Sequence, residues 1–169
     1  MAQTREEKIE IIIEGTEKKD GLRCLTWPKR YKKVLAKFQE LRRLEEADED
    51  LLVDCVTCQK RGMKWKGDYA NAGHFMRAKY RMTCFDPENV FVQCSHCNGQ
   101  LNGNYDEYRK FLGDTKADAL REKALSNQTF RHTLEELAEL LLDFREALAK
   151  EKKRRNALPP KSITHAQTI

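Results

Sequence analysis

The sequence predicts an α+β domain in which a small, metal-stapled centre with short strands is flanked on both sides by α-helices. Three observations carry that prediction. Two Cys-x-x-Cys pairs, Cys55/Cys58 and Cys94/Cys97, bracket the middle of the chain. Strand-like apolar segments, Leu51-Leu52-Val53 and Val90-Phe91-Val92, lie beside them. Outside the centre, apolar residues recur at three- and four-residue steps, as on amphipathic helices. The 169 residues suffice for one domain with helical additions. A 35% charged share against 40% hydrophobic implies a modest core and long solvated helices.

In chain order, Thr4-x-x-Glu7 is a capping box followed by Ile9, Ile11, Ile12 and Ile13, and Gly15 and Gly21 mark a break. Residues 1–27 therefore read as a helical extension. Pro28 suits the first turn of a second helix. Tyr31, Val34, Leu35, Phe38, Leu41 and Leu44 then recur at helical spacing to about Ala47, and Asp48-Glu49-Asp50 ends a basic helix over 28–50. Leu51-Leu52-Val53 leads as a short strand into the first cysteine pair and opens a core spanning 51–112. Asn104 can cap a helix through Leu112, with Gly113 as its stop. The C-terminal helices occupy 113–156: Thr115 to Ser126, then a helix opened by the capping box Thr133-x-x-Glu136. Along that last helix Leu134, Leu137, Leu141, Phe144 and Leu148 form an apolar seam. The seam either packs on its own domain or pairs with a second copy. The tail, 157–169 with Leu158-Pro159-Pro160, is expected to be disordered.

Each Cys-x-x-Cys pair places two thiolates on one tight turn, so the four sulfurs can close a tetrahedral zinc site. The start of the chain, Met1 to Glu7, carries no apolar signal region, and no run of eighteen apolar residues exists. A cytoplasmic chain without a membrane span is the expectation, and there paired cysteines favour metal over disulfide. Cys24 and Cys84, outside the pairs, are expected to be buried thiols. About three dozen residues separate the pairs, room for a hairpin. Within that gap lies His74, a residue suited to act as a base near neutral pH. Asn98 directly follows the last cysteine, held at the start of a short helix, and its side-chain oxygen is a hard ligand for magnesium. Asn89, in Asp86-Pro87-Glu88-Asn89, can brace the loop between two strands and orient the imidazole. Each has a plainer alternative. His74 or His96 can replace a cysteine on zinc, Asn89 can be a turn residue, and Asn98 and Asn104 can be helix caps. The order Cys-x-x-Cys, His, Asn, Cys-x-x-Cys-Asn is more specific than its parts.

The net charge is +5, and its distribution says more than its sum. Lys29, Arg30, Lys32, Lys33, Lys37, Arg42 and Arg43 crowd one segment, and Lys150, Lys152, Lys153, Arg154 and Arg155 another. Arg77, Lys79 and Arg81 follow directly after His74. A solvated helix face explains any one cluster, but three around one candidate centre suit a phosphate backbone. The residues expected to contact DNA are Arg77, Lys79, Arg81, Lys29, Arg30, Lys33 and Lys37.

With these residues in place, the centre resembles the HNH, or His-Me finger, endonucleases whose zinc clamp is split around a catalytic hairpin. Phage endonuclease VII shares the plan. The chain is more closely similar to the lambdoid NinG (Rap) family of phage recombination nucleases. The matching residues are Cys55-Val56-Thr57-Cys58, Trp65-Lys66, Ala72-Gly73-His74-Phe75, Phe85-Asp86, Asn89, Gln93-Cys94, Cys97-Asn98 and Gly103-Asn104. The resemblance covers roughly residues 28–152 and leaves the first two dozen unexplained. It implies a ββα-metal core with structural Zn2+ on Cys55, Cys58, Cys94 and Cys97. It further implies His74 as general base and Asn98 as ligand of a catalytic Mg2+ or Mn2+. The implied substrate is branched DNA, Holliday junctions and D-loops, cut in phage recombination inside an infected bacterial host. A homodimer is expected, because such junctions are cut symmetrically, with phage recombination proteins as further partners. Asn71 stands where the family carries Asp, and no acid directly precedes His74, so Asn71 and Asp68 are the remaining candidates around the catalytic metal. A non-catalytic, zinc-stapled DNA-binding protein is the alternative function.

Overall fold

A computed structural model describes residues 3–16, 21–67 and 69–157. The disordered-tail expectation from Leu158 onward, and Asp68, lie outside the described residues. The chain is a mixed α/β structure with small sheets. Helices α1 (Arg5–Glu14) and α2 (Trp27–Glu45) come first, followed by strands β1 (Leu52–Val53), β2 (Met63–Lys64), β3 (Ala70–His74) and β4 (Val90–Cys94). Helices α3 (Tyr105–Leu112), α4 (Asp114–Ser126) and α5 (Leu134–Asn156) close it. Two antiparallel pairs make the sheets, β1 with β2 and β3 with β4. In the second, Ala70 faces Cys94, Ala72 faces Val92 and His74 faces Val90. That hairpin fills the gap between the two cysteine pairs.

Both capping boxes form. The Thr4 hydroxyl accepts from the Glu7 N–H at 3.2 Å and the Thr133 hydroxyl from Glu136 at 3.1 Å, each glutamate returning the bond. Pro28 sits in the first turn of α2, which buries Tyr31, Val34, Phe38, Leu41 and Leu44 on one stripe. The apolar seam of α5 is spent within the chain. Leu137, Leu141, Leu142 and Leu148 are buried, and Phe144 packs its ring 5.0 Å from Phe38. A dimer through that seam would have to undo this core. Helix α1 belongs to the same core: Ile12 and Ile13 are buried with Leu22, Tyr31 and Leu141. Arg5–Asp143 and Lys8–Glu146 ion pairs tie it to α5. Helix α1 thus packs against the rest of the described structure. Gly21 is needed at the turn after α1, because a Cβ there would lie 2.3 Å from the Glu14 carbonyl carbon.

The C-terminal basic cluster is largely structural. The Arg155 guanidinium donates to the carbonyls of Leu44, Ala47 and Asp48, at 2.6–2.8 Å, and so closes the C-terminal end of α2. Arg154 and Arg155 both pair with Glu151, and Lys152 with Glu40. Cys84 is buried as expected. Cys24 is exposed, a correction: in the turn before α2 it is Leu22, at 0% exposure, that turns inward.

Candidate metal centre and histidine cleft

The four paired cysteines converge. Their sulfurs all lie within 4.8 Å of one another, with Cys58 Sγ 3.7 Å from Cys94 Sγ. A zinc ion at its usual ~2.3 Å from each sulfur spaces tetrahedral ligands about 3.8 Å apart, so the cluster can hold a metal ion such as zinc. No histidine belongs to it among the described residues; the His96 ring instead faces Gln100 at 2.6 Å. The backbone makes the cluster. Cys55 N–H donates to Lys60 O across the first turn, and Val56 N–H to Val92 O, docking that turn against β4. The Cys97 N–H points at Cys94 Sγ at 3.4 Å, the Thr57 hydroxyl meets Cys55 Sγ at 3.3 Å, and Asn104 Nδ2 donates to Cys97 Sγ at 3.6 Å. Asn104 does occupy the N-cap position of α3, but its side chain serves the sulfur. Burial pushes the Cys55 thiol up, yet the Thr57 hydroxyl and backbone groups of Cys94, Cys58 and Thr57 outweigh it and bring it to about 6. Burial and the three neighbouring thiols push Cys58 up, to about 12. A cation among the four sulfurs would favour the thiolate form of each.

His74 ends β3 at the mouth of a cleft of about 280 Å³ lined by Gln39, Ala72, His74, Arg77, Asn98 and Asn102, among others. The structure therefore brings His74 and Asn98 together, although 24 residues separate them in the chain. Asn98 arrives from the π-helical turn His96–Gln100 that carries Cys97, so the cysteine cluster fixes its place. The His74 Nε2 lies 3.0 Å from the Cys84 carbonyl oxygen. A carbonyl only accepts, so Nε2 carries the proton and, in the neutral ring, the lone pair sits on Nδ1. Burial holds the imidazole below its ordinary pKa, opposed by the Cys84 and Ala72 carbonyls, so the ring is neutral at pH 7.

Asn89 is fully buried and braces the loop between β3 and β4. Its Oδ1 accepts from Met76 N–H at 2.7 Å, and its Nδ2 donates to the carbonyls of Met76 and Thr83 at 2.9 Å. It touches the loop that holds Cys84, not the imidazole. Asn71 does not join the cleft. It lies three residues before His74 on a strand, on the opposite face, and donates to the Ser95 hydroxyl at 3.1 Å. No carboxylate is among the described residues that line the cleft. Its oxygen donors are the amides of Gln39, Asn98 and Asn102, which offer a hard cation ligands but no charge.

The cations expected to meet DNA divide in two. Arg77, Lys79 and Lys29 are exposed, and Arg77 lines the cleft itself. Arg30 is committed to the carbonyls of Leu22 and Arg23, Lys37 pairs with Glu40, and Arg81 lies 4.0 Å over the Tyr31 ring while donating to Ala78 O. Lys33 is half-buried.

Sequence reading singled out neither Gln39, Gln93 nor Asn102 for the site. Gln93 is fully buried and donates to the Gly103 carbonyl at 2.7 Å and to Thr57. It occupies the space that a side chain at position 73 would need: a Cβ on Gly73 would lie 2.1 Å from its Oε1. The Tyr108 hydroxyl accepts from Phe91 N–H and donates to Gly73 O, locking α3 onto the hairpin. A glutamine beside the second cysteine pair and a glycine before the histidine were the available signals.

Residues 2–155 match the family described as Bacteriophage Lambda NinG protein, and the chain belongs to that family. The match reaches back through α1, so the first two dozen residues are part of the family pattern rather than outside it. No curated protein and no solved structure matches the chain. No described helix is long and apolar enough to cross a membrane.

Proposed function

We propose that this NinG-family phage protein is a metal-dependent endonuclease that cuts branched DNA, Holliday junctions and D-loops, during phage recombination. One observation carries the reading: His74, with Nε2 tied to a carbonyl, shares a cleft with Asn98 and Arg77, and the cysteine cluster anchors that cleft. The Cys84 carbonyl fixes the imidazole so that its Nδ1 can take a proton from water. The water oxygen then forms a new bond to phosphorus as the bond from phosphorus to the sugar oxygen breaks; that oxygen takes its proton from solvent, and the proton held on Nδ1 is afterwards returned to solvent. Arg77 is placed to hold the phosphate. A divalent cation, Mg2+ or Mn2+, supplies charge neutralisation at phosphorus when bound, and Asn98 is the side chain that would hold it. With no carboxylate among the described residues that line the cleft, the DNA phosphate would supply the cation's charge balance. Zn2+ on the four cysteines has a structural role, keeping Asn98 and the hairpin in register.

The test is junction cleavage with added magnesium or manganese. His74→Ala is expected to lose roughly a hundred- to ten-thousand-fold in rate while junction binding persists. A His74→Ala protein that cuts like its parent sinks the reading. A cleft with no carboxylate among its described lining also favours a second one, a zinc-stapled DNA-binding accessory protein. That reading gains if the parent binds junctions but no divalent metal supports cutting. Symmetric cutting calls for a homodimer. With the α5 seam buried, the two-fold contact falls on another surface, and sedimentation of the zinc-loaded chain tests for it.

A further inference from the structure

Cations on the helices are mostly answered by carboxylates: Lys37 by Glu40, Arg109 by Asp114 and Asp118, Arg154 by Glu151. The hairpin next to the cysteine cluster is different. Lys60, Arg61, Lys64 and Lys66 are all exposed, and none is in an ion pair with a carboxylate of the described residues. With Tyr69 they line a groove of about 510 Å³ whose described lining contains no acidic residue. Tyr69 is 68% exposed, more than any other large apolar or aromatic side chain described, and Lys60 Nζ lies 5.5 Å from its ring centroid.

The backbone beneath this groove is held firmly. Strands β1 and β2 pair across it, Gly62 N–H donates to Asp54, and Arg43 Nε donates to Trp65 O. The Tyr69 carbonyl accepts from Ser95 N–H, within the second cysteine turn. Four like charges on a rigid hairpin repel one another, and a polyanion relieves that repulsion. An open aromatic face among those charges adds a second requirement, a flat group that stacks. Unpaired nucleotides meet both, whereas the bases of an intact duplex are already stacked on each other.

We propose that the groove is a second DNA-contact site that takes unpaired nucleotides next to the branch point, a base on Tyr69 and phosphates on Lys60, Arg61, Lys64 and Lys66. The proposal rests on DNA being the ligand but not on His74 chemistry. Tyr69 directly precedes β3 and His74 ends it. Five strand residues at ~3.3 Å each put the groove about 16 Å from the histidine, within one turn of DNA.

The probe is a fluorescent oligo-dT strand. It is titrated by anisotropy against the full zinc-loaded chain without added magnesium or manganese, with linear duplex and poly-glutamate in parallel. Stacking is worth roughly 1–3 kcal/mol per base, so Tyr69→Ala should weaken oligo-dT binding about 5- to 150-fold while Tyr69→Phe keeps it. Duplex binding should change less than about twofold. Replacing Lys60, Arg61, Lys64 and Lys66 by Gln should flatten the salt dependence of oligo-dT binding by a slope of about 3. Because Tyr69 is exposed, Tyr69→Ala should fold and keep its metal, checked by circular dichroism and zinc content. His74→Ala should bind oligo-dT like the parent, so the groove stands or falls apart from the nuclease reading. Tyr69→Ala binding oligo-dT like the parent, an equal loss on duplex, or poly-glutamate competing as well as oligo-dT would overturn the proposal.

Discussion

Replacing Asn89 by Ala should damage the protein more than its distance from the imidazole suggests. The side chain makes three hydrogen bonds inside the loop between β3 and β4. Among the described residues, the Met76 N–H and carbonyl have no other recorded partner, whereas the Thr83 carbonyl also accepts from Asp86 N–H. Two backbone groups are therefore orphaned, not three. Each buried orphan costs roughly 1–3 kcal/mol, so Asn89→Ala should lose about 3–4 kcal/mol, a large fraction of a typical domain's stability. Asn89→Asp keeps the acceptor for Met76 N–H but loses both donors and sets a charge against two carbonyls. It should fare no better than Ala despite its matching size. The same loop carries the Cys84 carbonyl that positions His74, and a misplacement of about 1 Å can cost on the order of a hundredfold in rate. Urea denaturation with zinc present measures the stability, and hydrogen exchange of amides 75–89 locates the loss. Asn98→Ala is the contrast: half-buried, with no side-chain hydrogen bond to give up among the described residues, it should lose activity with little stability and recover in part at higher metal. If Asn89→Ala stays within about 1 kcal/mol of the parent and its loop amides exchange as slowly, the bracing argument is wrong.

Metal analysis should find about one zinc per chain, and Cys94→Ser should unfold the centre, since structural zinc contributes on the order of 10 kcal/mol in small sites; a folded, metal-free preparation would refute this. The His74 pKa is depressed in the folded chain, so its base form persists at pH 7 and cleavage should fall only below about pH 6.5. The folded state then binds fewer protons than the unfolded one. Stability from this group is complete above about pH 6.5 and is lost as pH falls through the folded pKa; His132, also depressed by burial, adds to that loss but not to the rate profile. Asn71→Asp should leave the metal dependence of cleavage unchanged, because residue 71 faces Ser95 rather than the cleft; tighter metal use at low magnesium would show that the site extends around the strand.

Features governed by local chemistry were legible in the sequence. The two capping boxes, Pro28, the stripe from Tyr31 to Leu44 and the cysteine pairs each act within a few residues, and the structure contains them all. Where one element has two possible partners, the sequence left the choice open, and packing made it. The α5 seam had the spacing for a second copy, but α2 presents Phe38 to the same face, and Phe144 meets it in the chain. The basic clusters were legible as charge but not as free charge. Arg155 and Arg30 spend their donors on helix-end and turn carbonyls, which composition does not reveal.

Asn71 shows most sharply where sequence reading stops. Counting back from His74 places it near the site, but a strand alternates faces, and an odd interval of three sends it to the other side. Asn98 is farther along the chain and yet reaches the cleft, because antiparallel pairing of β3 with β4 returns the chain to the histidine's side of the sheet. The second cysteine pair then turns it back over Ala72. The cysteine cluster thus decides which amide shares the cleft with the imidazole. A variant that weakens the metal site should lose Asn98 from the cleft before it loses His74, whose own anchor is the Cys84 carbonyl in a different loop. Thr57→Ala and Asn104→Ala, which strip contacts to the sulfurs, provide that case. They should raise the magnesium needed for cutting while leaving the pH profile set by His74 in place. A shift of the pH profile with no change in metal dependence would mean that the two side chains are not anchored separately.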